Sequence, residues 1–317
     1  MRRFTTLLLV LLMISVYALA AQEATDSYAA VLRINAATVE VQRAGTERWL
    51  PLPATAEFAF GDGDSVRTDR YGRAWLNFAQ VITLRALVMS ESEARIGVYS
   101  DSQVVVTLVS GRMAFTLDTT PTIFQVIAGG AVIDTIAGNF AVQVTGETIY
   151  VVASTGVINV HANGVNIPLS AGYGVRVGAT NSNLVELGER ANFARIDGIL
   201  DGCPGDIQAR GEDALNVRVG PALGFDALGS IPNGTPVFLM AMNPRQERYR
   251  IQFLSGFGWV LANGVVNRCA NLPELPVSAV EQIVRILDPT AEELDILRPY
   301  FGEPDDDAIF YSILTGD

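Results

Sequence analysis

The sequence predicts a mainly β protein with an N-terminal all-β unit of sandwich or β-roll type, a second and smaller β unit, and a short α-helical C-terminal tail. Three observations carry this reading. Apolar and polar residues alternate with period two through most of residues 28–178. Turn signals recur there at roughly eight- to ten-residue intervals, the rhythm of all-β sandwiches and barrels. Helical periodicity with capping residues is confined to the last stretch, residues 270–317.

The N-terminus comes first. Arg2 and Arg3 precede the apolar run "FTTLLLVLLMISVYALA", and Ala18-Leu19-Ala20 fits the small-x-small rule for signal cleavage. Residues 1–20 are therefore expected to be removed on export, the other reading being a retained anchor. No cysteine follows the run to carry a lipid, and no later stretch is apolar for the ~20 residues of a membrane span. The mature protein is expected in the periplasm, at the cell surface or outside the cell, with no integral span.

Residues 28–178 then read as strand after strand. In "ATVEVQR", Val39 and Val41 share one face while Glu40 and Gln42 share the other. "SVRTDRYGRAWLNFA" reads as strand, turn at 69–72 and strand, and "QVVVTLVSGRMAFTL" reads the same way with its turn at Gly111. Four or five short strands follow, punctuated at Gly146, Gly156, Gly164 and Gly172. Residues 179–202 lose the alternation and form a connector with room for one short helix. Residues 203–269 make the second β unit.

The tail, residues 270–317, begins with the linker "NLPELP". Ser278–Glu281 and Thr290–Glu293 each have the spacing of a capping box. Val280, Ile283, Val284 and Leu287 fall on one helical face, and Ala291, Leu294, Leu297 and Phe301 on a second. The expectation is a helical hairpin packed on the protein.

Composition excludes several functions. A hydrophobic fraction of 49% supports real cores, and a net charge of -12 disfavours nucleic-acid backbones and anionic membrane surfaces. Lysine is absent, so Schiff-base chemistry and a Walker-type phosphate lysine are excluded. The sole histidine, His161, alternates with Val160 on a strand and reads as a surface residue rather than a base. No Gly-x-Ser-x-Gly elbow occurs, and two cysteines with one distant histidine fall short of a zinc set. Asp62, Asp64 and Asp69 lack the spacing of a calcium loop and read as turn residues. "EPDDDA" reads as a solvated acidic loop, and Asn233-Gly234-Thr235 as a hairpin turn rather than a glycan acceptor. No catalytic residue, metal site or cofactor is assigned.

The stretch "FAFGDGDSVRTDRYGRAWLNF" carries Gly63-Asp64, Val66-Arg67-Thr68 and Gly72-Arg73-Ala74 in order. Trp49 and Leu52 stand upstream, and Gly111 and Ile136–Val142 downstream. In these features the first unit resembles the FecR domain. Members of that family regulate signalling through a cytoplasmic anti-sigma segment, one span and this domain outside. No such segment precedes the apolar run here, so the resemblance implies an exported β domain that serves as scaffold or protein-binding unit, without anti-sigma activity.

Within the second unit, Leu215-Asn216-Val217-Arg218 leads to Gly220-Pro221, followed by Gly229, Gly234-Thr235 and Gly258-Trp259-Val260. This order resembles the bacterial SH3 (SH3b) domain and implies a small SH3-like β-barrel. Val219 and the segment from Leu223 to Phe225 depart from the family pattern. Cys203 and Cys269 bracket the unit, and two thiols in an exported chain are expected to pair. SH3-like barrels bring their ends together, as a bridge needs. Two free thiols are the alternative.

The resemblance implies an exported, non-catalytic binding protein whose barrel contacts peptidoglycan or another envelope polymer or peptide. Candidate contacts are Arg218, Phe225, Tyr249, Phe257 and Trp259, because aromatic faces stack on sugars or peptides and Arg pairs with carboxylates. For Trp259, core packing is the competing reading. The alternative function is an assembly or envelope-signalling component that docks exported proteins without binding glycan.

Overall fold

The computed structural model describes residues 30–36, 39–52, 56–69, 72–78, 82–178, 184–200, 204–253, 256–268, 272, 274, 279–301 and 308–316. The signal segment, both cysteines, Ser278 and the "EPDDD" run lie outside the described residues.

The first unit contains β1 (Ala30–Ala36), β2 (Val39–Gln42), β3 (Leu50–Leu52), β4 (Glu57–Phe60), β5 (Ser65–Thr68), β6 (Arg73–Phe78), β7 (Leu84–Val88) and β8 (Glu93–Tyr99). Next come β9 (Gln103–Leu117), β10 (Ile123–Ala128), β11 (Ala131–Thr135), β12 (Gly138–Thr145), β13 (Thr148–Ala162), β14 (Val165–Ser170), β15 (Tyr173–Gly178) and β16 (Val185–Glu189). They form two faces. One has the order β4-β1-β6-β7-β9-β12-β13-β15-β16. The other runs β3-β2-β5-β8-β9-β10-β11-β13-β14.

β9 and β13 belong to both faces. Up to Ser110, β9 pairs with β8 and β10; from Gly111 it pairs with β12 and β7. β13 does the same at Gly156. The expected hairpin turns at these glycines are therefore bends inside 15-residue strands. Both glycines have positive φ, +82° and +80°, and a Cβ on either would lie within 2.4 Å of a backbone oxygen. A glycine inside a strand marks either a turn or a sharp bend, and local sequence does not separate the two.

Between the faces lies a closed apolar core. Phe60, Phe115, Phe124 and Phe140 are fully buried, and Phe115 stacks on Phe140 at 4.9 Å. The alternation read from sequence produces it: β11, for example, buries Ala131, Ile133 and Thr135 and leaves Val132 and Asp134 half-buried.

The Gly-Asp and Arg-Thr elements are braces. The Asp64 carboxylate accepts from the backbone N–H of Ala44 and Gly61 and pairs with Arg43 at 2.6 Å. Thr68 Oγ1 accepts from the Ser92 N–H. Asp69 accepts from the Gly72 N–H in a separate turn. His161 lies on the outer side of the second face and pairs with Asp134 at 2.6 Å.

The connector is part of this unit. β16 extends the sheet, a 3₁₀ turn spans Arg190–Phe193, and helix α1 (Ala194–Leu200) follows. Across the outer side of the first face, the register aligns Trp75, Leu87, Ala114, Ala141, Val152, Gly174 and Gly188 in one row. Phe193, Ile196 and Ile199 pack on that row. The two glycines keep it low: a Cβ on Gly174 would meet the Phe193 ring at 2.3 Å.

The tail differs from the expected helical hairpin. Residues Ala279–Leu287 form a strand, β24, paired antiparallel with β25 (Ala308–Gly316). Helix α2 (Ala291–Phe301) lies between them and starts at a reciprocal capping box between Thr290 and Glu293. The segment "AVEQIVRIL" is rich in β-branched residues, so partner-strand pairing outweighs its helical spacing. Ile286, Ile296 and Leu297 join the core of the first unit, while Arg48 pairs with Glu293 and donates to the Leu287 carbonyl.

Candidate functional site

The second unit is a small β-barrel. Its strands are β17 (Pro204–Ile207), β18 (Ala214–Arg218), β19 (Ala227–Pro232), β20 (Pro236–Met242), β21 (Arg248–Phe253), β22 (Gly256–Leu261) and β23 (Val265–Asn267), in the order β19-β18-β22-β21-β20-β17-β23. Val217, Leu239, Ile251 and Val260 fill its core. Asn233 and Gly234, at φ +77°, make the turn between β19 and β20; the Asn233 amide bonds to the backbone of Ala209 and Glu212.

"VGPALGFD" forms the loop between β18 and β19. Val219 N–H donates to the Asp226 carbonyl, and Arg218 Nη1 donates to the Phe225 carbonyl at 2.7 Å. Gly220 lets the Phe225 ring lie on the backbone, because a Cβ there would stand 2.5 Å from the ring. With its backbone closed on itself, the loop turns side chains outward: Val219, Leu223, Phe225 and Leu228 are 56%, 73%, 45% and 45% exposed. Four large apolar side chains around one loop make a contiguous apolar feature rather than scattered exposure.

The five candidate contacts separate. Arg218 and Phe225 belong to this loop. Trp259 lies opposite Arg218 in the β18–β22 register, but it is buried. It is not in the barrel core, which takes its neighbour Val260; Trp259 lies on the barrel's outer side in a row with Arg218 and Arg250. Tyr249 packs against the core and accepts a hydrogen bond from Asn267 Nδ2 on its hydroxyl. The Phe257 side chain lies outside the described residues.

The barrel's outer row meets the first unit, a junction that the sequence reading did not identify. Arg73 of β6 donates through Nη1 to the Met240 carbonyl of β20. Arg73 is 7% exposed, and burial together with the charges of Arg112 and Arg250 pushes its pKa down to about 10. Burial likewise pushes Arg250 down to about 10. Arg112 is lowered by burial and by Arg195, and Arg248 by burial and by Arg218. Four arginines, Arg73, Arg112, Arg195 and Arg250, thus act on one another around one junction of an acidic chain, and Arg248 and Arg218 form a second such pair on the barrel. The available signal was Arg248 and Arg250 at alternate positions of a strand, which period two places on one side.

No family model matches the sequence, and no curated protein does. Among solved structures, two crystal structures of "a putative anti-sigma factor from Parabacteroides distasonis", at 2.50 and 1.65 Å resolution, align at 15% identity. Each alignment covers 46% of this chain and 67% or 68% of the other, with a TM-score of 0.36.

Proposed function

We propose that this is an exported, non-catalytic binding protein that recognises a peptide or protein segment through the apolar loop of its barrel, with the first unit as scaffold. The observation that carries the reading is the loop itself: Val219, Leu223, Phe225 and Leu228 stand exposed beside Arg218. Aliphatic side chains with one aromatic suit an apolar peptide side chain flanked by a carboxylate. A glycan would call for an open stacking platform, and the buried Trp259 is not one. This favours assembly or signalling over peptidoglycan contact.

The test is selection of a displayed random-peptide library on the immobilised full chain. Enriched peptides are expected to carry a large apolar residue next to Asp or Glu, and to lose binding by about tenfold or more in Leu223→Asp and Phe225→Ala. Equal binding by these variants, or retention on purified peptidoglycan with no peptide enriched, overturns the reading.

We also propose the Cys203–Cys269 bridge, supported by the register beside it. Gly205 faces Asn267, Asp206 faces Val266, and the Arg268 N–H donates to the Pro204 carbonyl. Alkylation of the unfolded exported protein should label neither cysteine before reduction and both after it. Labelling without reductant would show free thiols.

A further inference from the structure

The row next to the one under the connector helix has a different character. Arg73 precedes Ala74, which faces Val88; Met89 follows Val88, and its N–H donates to the Arg112 carbonyl. The row therefore reads Arg73, Met89, Arg112, Gln143, Tyr150, Arg176, Glu186 across the outer side of the first face. At its far end Arg176 is neutralised by Glu186. At its near end Arg73 and Arg112 flank one methionine, their backbones roughly two strand spacings, or ~10 Å, apart. The barrel adds Arg250 close enough to depress Arg73, and α1 adds Arg195 close enough to depress Arg112. The acidic group acting on Arg112 is the exposed Glu91.

Two buried donors here lack acceptors. Arg73 Nε and Trp75 Nε1 are out of contact with solvent and have no hydrogen-bond partner among the described residues. They lie two residues apart on β6 and so on the same side of the sheet. Both are donors only, so what they lack is an acceptor. Among the described residues no acidic group acts on Arg73, and a buried cation without a counter-charge is costly; with its pKa near 10 Arg73 stays charged at neutral pH.

We propose that this junction is a binding site for a small oxyanion (phosphate, sulfate or a carboxylate), held between Arg73 and Arg112 with Trp75 Nε1 as neutral donor and Arg250 of the barrel closing the site. Guanidinium groups present forked donors that match such oxygens. The site is separate from the apolar loop and does not depend on it. Because Arg73 also holds the Met240 carbonyl, occupancy couples the barrel to the sheet.

The experiment is thermal unfolding of the full chain with increasing sodium sulfate, sodium phosphate or sodium citrate, each against sodium chloride at equal ionic strength. Sulfate raises stability generally by exclusion from protein surfaces, without saturating. Site binding instead gives a midpoint rise that saturates. Arg112→Gln, on a part-exposed residue, should shift half-saturation to roughly tenfold higher concentration, and Arg73→Met should remove the saturable component. A response to the inorganic anions alone identifies a free anion as ligand, and a response to citrate alone a carboxylate. A rise that never saturates, or that saturates alike in wild type and Arg112→Gln, overturns the proposal; if Arg73→Met fails to fold, Arg112→Gln decides.

Discussion

At the scale of single residues, glycine and arginine decide most. Gly111 is where β9 leaves one face of the sandwich for the other, with a φ only glycine adopts freely. A Cβ there would also lie 2.3 Å from both the Glu91 carbonyl oxygen and Ser92 Oγ. Gly111→Ala is expected to destabilise by at least about 2 kcal/mol, from strain and clash together, read by denaturant unfolding. An unchanged midpoint would mean that the bend is not needed. Arg73 illustrates the opposite economy. Its pKa falls from the ordinary arginine range to about 10 on folding, so between those values the unfolded chain binds more protons than the native one. Stability contributed by this residue therefore rises with pH across that window and is least below it. A residue that opposes folding at neutral pH and keeps an unpartnered donor is better explained by a ligand than by stability.

At the scale of elements, the connector shows how small residues create a docking surface. Its helix has only seven residues, too short to persist alone. It holds because Ala114, Ala141, Gly174 and Gly188 leave a depression that Phe193, Ile196 and Ile199 fill. Gly174→Ala is expected to cost about 1–3 kcal/mol by pushing the Phe193 ring aside, and Phe193→Ala about 3–5 kcal/mol by leaving a cavity. Combined, the two should cost less than their sum, because the new methyl occupies space the ring vacated. Strict additivity in a double-mutant cycle would remove the depression from the account. The polar sequence of residues 179–202 suggested a linker because its few apolar residues are spaced for one short face, and the matching row is spread over six other strands. The tail shows the same limit. Its second helix was legible from Thr290 and Glu293, whose capping bonds are local. Its first segment became a strand because the partner, β25, lies 29 residues further along from Ala279 to Ala308.

At the scale of the whole molecule, the tail and the first unit are tied together. Leu297, fully buried, Ile296 and Ile286 complete a core otherwise built from residues 30–177. Removal of the tail should therefore weaken the first unit itself rather than only release a partner. Leu297→Ala is expected to lower the stability of the first unit by about 2–5 kcal/mol. Hydrogen exchange of β2 and β3 would report it, since Arg48 and Trp49 line the groove against the tail. Unaltered exchange in those strands would show the tail to be an independent appendage.

The sequence by itself determined what depends on near neighbours: the β class from period two, the division into two β units, the Asn233–Gly234 turn, and the cap of α2. It also set Arg218 and Phe225 seven residues apart in one stretch, and one loop keeps them together. Tertiary structure alone decided whether a glycine turned or bent a strand, which side of the barrel Trp259 occupied, and that arginines distant in sequence collect at one junction. The physical reason is that local spacing sets which side of an element a residue takes. What that side meets is set by strand register and layer packing, which join residues as far apart as Arg73 and Met240.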